Sequence, residues 1–442
     1  MFDSGYEDVL TYFTGHIYDS DVYAADMFSA GGGSSIPGEH SVENCDLYVT
    51  PGKYVDIGSN NITISNCRIM GYDYLFPNYG YIYSPCYDTV ITGLKLSDNI
   101  YHAGFQNCIV QAELRRDFSR SAGSIKVPDV NTYFNLTFTD PAYTLYDSSR
   151  TGSEYCTFDV YIKDGDGDGH IKDCQCLLEY GKYTNCDITF YGVDDVTVDT
   201  NLGYFYNTSL SNCNIEVSAT LNSLVRYSYP YGLYYGVLCT STATDCLFTL
   251  RELQDVSLTG WYSSGSGTFN NCNIVVDRVF YSTQYDERPL LFGALPVYDT
   301  DITIKEYDGL YAGISLVPLH GCNIYLTVDD VYRDYTTFGE DLYIYHNTST
   351  EPTDSNVFVD FTEDATGELS YLFNVGGGPI DNISIYIGEM PDSVSIADTR
   401  LLHSYRGSTI TNMLLIAPKL NVAGASQMGL VAPFTMIDGY AL

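Results

Sequence analysis

The sequence predicts an all-β solenoid, in which the chain winds into coils whose short parallel strands stack on one another. Three observations carry this. One short unit recurs along most of the chain, each copy alternates apolar and polar residues at a period of two, and successive copies lie one coil apart. The fullest copy is Phe269–Asn270–Asn271–Cys272–Asn273–Ile274–Val275–Val276. Others are Asn44–Cys45–Asp46–Leu47, Asn66–Cys67–Arg68–Ile69, Asn107–Cys108–Ile109–Val110, Asn185–Cys186–Asp187–Ile188, Asn212–Cys213–Asn214–Ile215 and Gly321–Cys322–Asn323–Ile324. Asn135–Leu136, Asn356–Val357, Asn382–Ile383 and Asn412–Met413 read as copies with another apolar residue in place of cysteine. Self-similarity of this kind is the mark of a repeat architecture.

Each part of the unit has a physical reason. Cysteine at one position and Ile, Leu, Val or Phe two residues later share one face of a strand. The residue before the cysteine is Asn, Asp or Gly in nine of thirteen cases, and these are the residue types that enter the left-handed region at least cost. The unit is therefore a sharp turn that launches a short strand with its small residue inward. Copies 22 residues apart (45 to 67), 27 apart (186 to 213), 33 apart (213 to 246) and 26 apart (246 to 272) suit coils of two or three strands joined by loops of unequal length. Stacked coils place equivalent residues about 4.8 Å apart, so Asn and Cys are expected to form columns.

On the Asn–Cys–x–Ile pattern, over roughly residues 41–420, the chain resembles the right-handed parallel β-helix proteins, both pectate-lyase-like enzymes and phage tailspikes. The resemblance implies a single-stranded right-handed β-helix. It also implies three-fold association, as in elongated phage β-helices. It assigns no catalytic residue.

Taken in order, residues 1–40 are expected to be an attachment or capping segment, with the glycine-rich stretch Gly31–Gly38 as a linker. Residues 41–416 are the coils. Residues 417–442, which include Gly429–Leu430–Val431–Ala432–Pro433–Phe434, are too apolar to lie bare in water and are expected to cap the last coil or to meet copies of themselves. Long insertions are expected at Arg115–Pro128, Tyr227–Tyr235 and Tyr281–Pro296, where such coils would present recognition loops.

Composition narrows the function. The formal net charge is −36, from 20 basic and 56 acidic residues, which repels phosphate backbones and anionic bilayers and argues against nucleic acid or membrane as partner. The thirteen cysteines show none of the paired spacings of a disulfide scaffold, so they are read as reduced core residues in a column. The start, Met1–Phe2–Asp3–Ser4–Gly5–Tyr6–Glu7–Asp8, is acidic and lacks the apolar stretch of a secretory signal, and no run approaches a membrane span. Assembly in a host cytoplasm and release on a virion would reconcile reduced thiols with a surface role.

Two constellations stand out. Asp164–Gly165–Asp166–Gly167–Asp168–Gly169 matches the front of a calcium loop, with Asp164, Asp166 and Asp168 as ligands, although Gln175 stands where a bidentate Glu belongs; the alternative is an acidic turn. No cofactor is required, and Ca2+ is the one candidate ion. Tyr229, Tyr231, Tyr234 and Tyr235 lie in a stretch with five tyrosines in nine residues, suited to sugar rings or protein. The doublets Asp194–Asp195 and Asp329–Asp330 fall at similar places in their repeats and are read as solvated turns. No catalytic residue can be named, so enzyme activity is not the first expectation.

The function expected first is a structural or receptor-binding appendage of a bacteriophage virion, whether tail fibre, tailspike or head fibre. It would be a homotrimer, docked to other virion proteins through residues 1–40, and would contact a host surface polysaccharide or protein receptor. The alternatives are a polysaccharide lyase or glycoside hydrolase of the same fold, favoured by carboxylates and tyrosines on adjacent coils, and a bacterial surface adhesin.

Overall fold

The computed structural model describes residues 15–24, 40–49, 55–57, 62–71, 80–120, 127–200, 203–223, 236–254, 256–259, 268–280, 296–310, 314–315, 319–331, 353–374, 380–403, 408–421, 434–437 and 440–441. The chain is all-β, and its parallel strands stack as a right-handed β-solenoid. It divides into two compact units, residues 1–199 with 205–219, and residues 200–204 with 220–442.

In the first unit the described strands form three stacked parallel sheets. The first sheet runs through His16–Tyr18, His40–Glu43, Ile62–Ser65, Cys86–Tyr87, Phe105–Gln106, Asp129–Val130, Ser153–Glu154, Lys182–Thr184 and Ser209–Ser211. The second, with longer strands, includes Asp21–Ala24, Asp46–Val49, Arg68–Gly71, Val90–Lys95, Ile109–Leu114, Tyr133–Thr139, Thr157–Lys163 and Asp187–Gly192. The third runs through Val55–Ile57, Gly80–Ile82, Ile100–His102, Phe118–Arg120, Tyr143–Asp147, Cys176–Glu179 and Phe205–Tyr206. The second unit has its own run of paired parallel strands, Leu247–Gln254, Asn273–Phe280, Asp301–Leu310, Asn323–Val331, Asn356–Asn374, Ser384–Ile387 and Leu414–Ile416.

Strict alternation builds the core. Along Thr157–Lys163 every second residue is buried. Register then stacks like on like: Val110, Phe134, Phe158 and Ile188 occupy one inward column, and the Phe134 and Phe158 rings stack 4.5 Å apart. Each such side chain contributes about 1.5–3 kcal/mol on burial.

The corner between the first and second sheets sets the coil. Asn44, Asn66, Asn107, Asn131, Asn185 and Asn212 sit there with φ of 49–56°, as do Asn271, Asn382 and Asn412 in the second unit at 50–53°. Side-chain amides then link coil to coil, as Asn131 Nδ2 donates to Asn107 Oδ1 at 2.9 Å. Asn135 and Asn356, read from sequence as corners, are instead strand residues in Tyr133–Thr139 and Asn356–Asn374. The true corners of those coils are Asn131 and Asp354 (φ 49° and 51°), four and two residues earlier.

All thirteen cysteines are buried free thiols, but the corner cysteines do more than fill space. Cys45, Cys67, Cys108 and Cys322 each donate to the carbonyl two residues back, at 3.1, 3.1, 3.2 and 3.3 Å. Thr89, Thr132, Thr300 and Ser355 make the same bond from the same corner position, at 2.7, 3.0, 2.7 and 2.9 Å. The position selects a small side chain with a donor. Burial pushes the Cys67 and Cys108 thiols up to about 11, so they stay protonated and able to donate. Cys108→Thr is therefore expected to change stability by less than about 0.5 kcal/mol, whereas Cys108→Val, which strands the Gln106 carbonyl, costs about 1 kcal/mol in urea unfolding.

One corner breaks the rule. Tyr155 holds φ 54° at the position where Asn131 and Asn185 stand on the neighbouring coils, and it is 61 % exposed. A bulky residue in this region costs about 1–2 kcal/mol, which asparagine largely avoids. Tyr155→Asn is expected to raise the urea midpoint, with a gain of about 1 kcal/mol. No gain would mean that the tyrosine ring supplies a compensating contact.

Strands also occur in both stretches that flank the expected coils. His16–Tyr18 and Asp21–Ala24 already pair with the next coil, so the stack begins ahead of residue 41. Phe434–Ile437 and Tyr440–Ala441 pair with Ser408–Thr411 and Leu414–Ile416, so strands continue beyond residue 417. Within the expected insertion at 115–128, Phe118–Arg120 is a regular rung of the third sheet.

Candidate functional site

The outward row of the third sheet in the first unit is rich in tyrosine. Register aligns Tyr81, Tyr101, Ser119, Tyr146, Glu179 and Tyr206 on successive coils. Tyr81 stacks on Tyr83 and Tyr101 at 5.1 and 5.2 Å with nearly parallel rings. Past Ser119 the geometry changes. Tyr180, in the left-handed region at φ 59°, turns its ring edge-to-face against Tyr146 (5.9 Å, 85°) and Tyr206 (6.1 Å, 74°). Tyr143 is tilted against Tyr146 (5.8 Å, 57°). Four rings at steep mutual angles make a box rather than a ladder.

Glu179 stands in this box, flanked in register by Tyr146 and Tyr206. It is 6 % exposed. The Cys176 thiol donates to its Oε2 at 3.7 Å. Burial raises its carboxyl above the usual carboxylate range, while hydrogen bonds from Cys176 and Tyr180 pull it back. The same crowding pushes the Tyr143 phenol up to about 12, through burial first and Glu179 next. Arg150 lays its guanidinium over the Tyr180 ring, 5.4 Å from the centroid. A second carboxyl, Asp117, is 7 % exposed; burial raises it too, against hydrogen bonds from Ser119 and Asn99. Desolvated carboxyls among phenols can give or take a proton and can face a cation.

Beneath this face lies a charged network turned into the core. His102, Arg120 and Asp147 succeed one another in an inward column that begins with Ile57 and Ile82. Arg120 bonds Asp129 through Nη2 and Asp147 through Nη1 (2.8 Å), and Ser153 Oγ lies 3.1 Å from Nη2. Asp129 also accepts from the Phe105 amide at 2.9 Å. Asp147 accepts the amides of Ser149, Arg150 and Gly152, each at 3.1 Å, and so fixes the turn that carries Arg150. His102 lies between Phe105 (4.7 Å) and Phe118 (4.4 Å), with Nδ1 3.7 Å from Asp129 Oδ1. Burial, and then Arg120, hold its imidazole well below the ordinary value. The network pins the strand behind Tyr146.

No family model matches the chain, and no curated protein or solved structure matches it. The site is therefore read from its own chemistry.

The second sheet presents aromatic residues differently. In the second unit Tyr325, Phe358 and Tyr386 stack at 4.8 and 4.7 Å with planes within 7°. Their faces are spent on each other and their edges point out. In the first unit Tyr133 donates to Asp159 at 2.6 Å beside the Tyr161–Tyr191 pair, which is stacked at 4.7 Å.

Of the residues singled out from sequence, the aspartates fall elsewhere. Asp164, Asp166 and Asp168 form a loop between Thr157–Lys163 and His170–Cys174. Asp164 accepts the amides of Asp166 (2.8 Å) and Gly169 (2.6 Å), and Asp168 accepts the His170 amide (3.0 Å) and pairs with Lys172. These bonds hold both carboxyls below the usual range. Among the described residues no three His, Cys, Asp or Glu side chains gather as a metal site. Tyr229, Tyr231, Tyr234 and Tyr235 lie outside the described residues. Asp194 and Asp195 do form a turn, both at φ 58°, but Asp329–Asp330 lies inside the strand Asn323–Val331, so the two doublets are not equivalent. Sequence reasoning missed the tyrosine box, Asp117 and the Arg120 network.

Proposed function

We propose that the protein is a surface appendage of a virus particle that binds a host glycan through the tyrosine face of its first unit. The observation that carries this reading is that face itself: Tyr81, Tyr101, Tyr146 and Tyr206 on rungs of one sheet, fixed by backbone register, with carboxyls among them. Tyrosine rings on a rigid scaffold offer broad amphipathic contact at low entropic cost, which suits sugar rings. The column of free, hydrogen-bonded thiols supports folding in a reducing compartment, as for a particle assembled inside a cell. A homotrimer that docks through its N-terminal residues and adds no chemistry of its own belongs to this proposal, with an acidic surface that keeps nucleic acid away.

Gold-labelled antibody raised against the chain should decorate particles in the source culture, and sedimentation should give three chains per assembly. Labelling confined to cell envelopes would favour an adhesin instead.

A second reading, a glycan-cleaving enzyme, is favoured by one observation: burial raises both Asp117 and Glu179 toward the range of a proton donor. Release of new reducing or unsaturated ends from host polysaccharide by the intact chain would shift the weight to it.

A further inference from the structure

Ring orientation distinguishes the box around Glu179 from every other aromatic group described above. Stacked ladders pack ring face on ring face, whereas Tyr143, Tyr146, Tyr180 and Tyr206 meet at 57–85°, with ring edges toward ring faces. The negative face of a phenol ring attracts cations. A guanidinium, that of Arg150, already occupies such a position over Tyr180. At the centre is a carboxyl 94 % withdrawn from solvent, which forms no salt bridge with a lysine or arginine among the described residues. A desolvated carboxyl walled by phenols and lacking a counter-charge is a site built for one.

We propose that the box formed by Tyr143, Tyr146, Tyr180 and Tyr206 around Glu179 binds the ammonium group of an amino sugar. This rests on the glycan-binding reading above and names the sugar class. An acidic sugar would meet both Glu179 and a chain of net charge −36, and a neutral sugar would leave Glu179 uncompensated. An ammonium borne directly on a sugar ring brings its charge to the carboxyl while the ring lies against the phenols. A lysine side chain would bring the same charge on a long stem whose rotamers must be frozen. A cation beside Glu179 would favour its ionised form, offsetting the effect of burial.

The test is calorimetric titration of the full chain with a glucosamine hexamer, its fully N-acetylated counterpart and hexalysine, at low and high salt. The expected result is binding of the free-amine hexamer at least about tenfold tighter than the acetylated one, weakened by salt and weakened about tenfold by Glu179→Gln. Thermal melts establish that the variant is folded; if it is not, Tyr206→Leu carries the same expectation. Equal affinity for the two hexamers, or undiminished binding in a folded Glu179→Gln chain, would overturn the ammonium site and leave the glycan reading standing. Hexalysine binding that depends on Glu179, without binding of the glucosamine hexamer, would overturn the amino-sugar assignment in favour of a basic protein partner. A folded chain that binds neither hexamer would overturn both the inference and the glycan reading.

Discussion

Replacing Arg120 by methionine is expected to destabilise the first unit by about 3–5 kcal/mol, the cost of removing one partner from a buried ion cluster. Arg120 is 3 % exposed, and Asp129 and Asp147 are 2 % and 4 % exposed. Without the guanidinium, two carboxylates face each other across the core with no cation between them. The amides of Phe105 and Gly152 partly satisfy those carboxylates but do not neutralise them. Urea unfolding should show the loss directly. The triple variant Arg120→Met, Asp129→Asn, Asp147→Asn should recover much of it, because it removes the stranded charge along with the cation. A single variant as stable as the parent would mean that water reaches this cluster.

The second large effect is a dependence on acid. His102 is neutral in the folded chain, with its imidazole held well below the ordinary value of 6.5 by burial and by Arg120. The unfolded chain takes up a proton near 6.5 and the folded chain does not. The stability that depends on neutral His102 is therefore complete above 6.5 and falls as pH drops below it, by up to about 1.4 kcal/mol per pH unit. Asp117 and Glu179, raised by burial, act in the opposite sense, since each favours the folded state at low pH. The comparison that isolates His102 is with His102→Phe, which keeps an aromatic ring between Phe105 and Phe118. Between pH 6.5 and 5.5 the parent should lose about 1 kcal/mol more than the variant. Parallel pH profiles would show that His102 is protonated in place.

How much of this was legible follows from what each feature depends on. The corner was readable because it is local: Asn before Cys, with an apolar residue two positions on, reports a left-handed turn and an inward strand within four residues. Its chemistry was harder to see. Cysteine read as a hydrophobe concealed the shared donor, although Thr89, Thr132, Thr300 and Ser355 stand directly after an Asp or Asn at the same register. That hydroxyl-for-thiol exchange was the available signal. Reading Asn135 and Asn356 as corners failed for the same reason, because the true corners carry Thr132 and Ser355 rather than an apolar residue. The tyrosine box was not legible. Tyr143, Glu179 and Tyr206 lie some thirty residues apart in sequence, and only the coil register brings them together. Arg120 was hidden as well, since a charged residue in an inward position breaks the alternation that reveals a strand.

The corner column has a consequence for how the chain can change in length. Most corners present the same exit: an Asx residue at about φ 50°, usually a small donor, then a parallel strand in fixed register. Joining Asn44 directly to Cys67 would remove residues 45–66 and recreate the junction already present at Asn66–Cys67. Whole coils are thus interchangeable cassettes, and gain or loss of one leaves the hydrogen-bonding phase of its neighbours intact. A frame shift of one residue would do the opposite, turning every inward side chain to the outside. Selection on such a chain can lengthen or shorten it by full turns while its recognition surface stays in place.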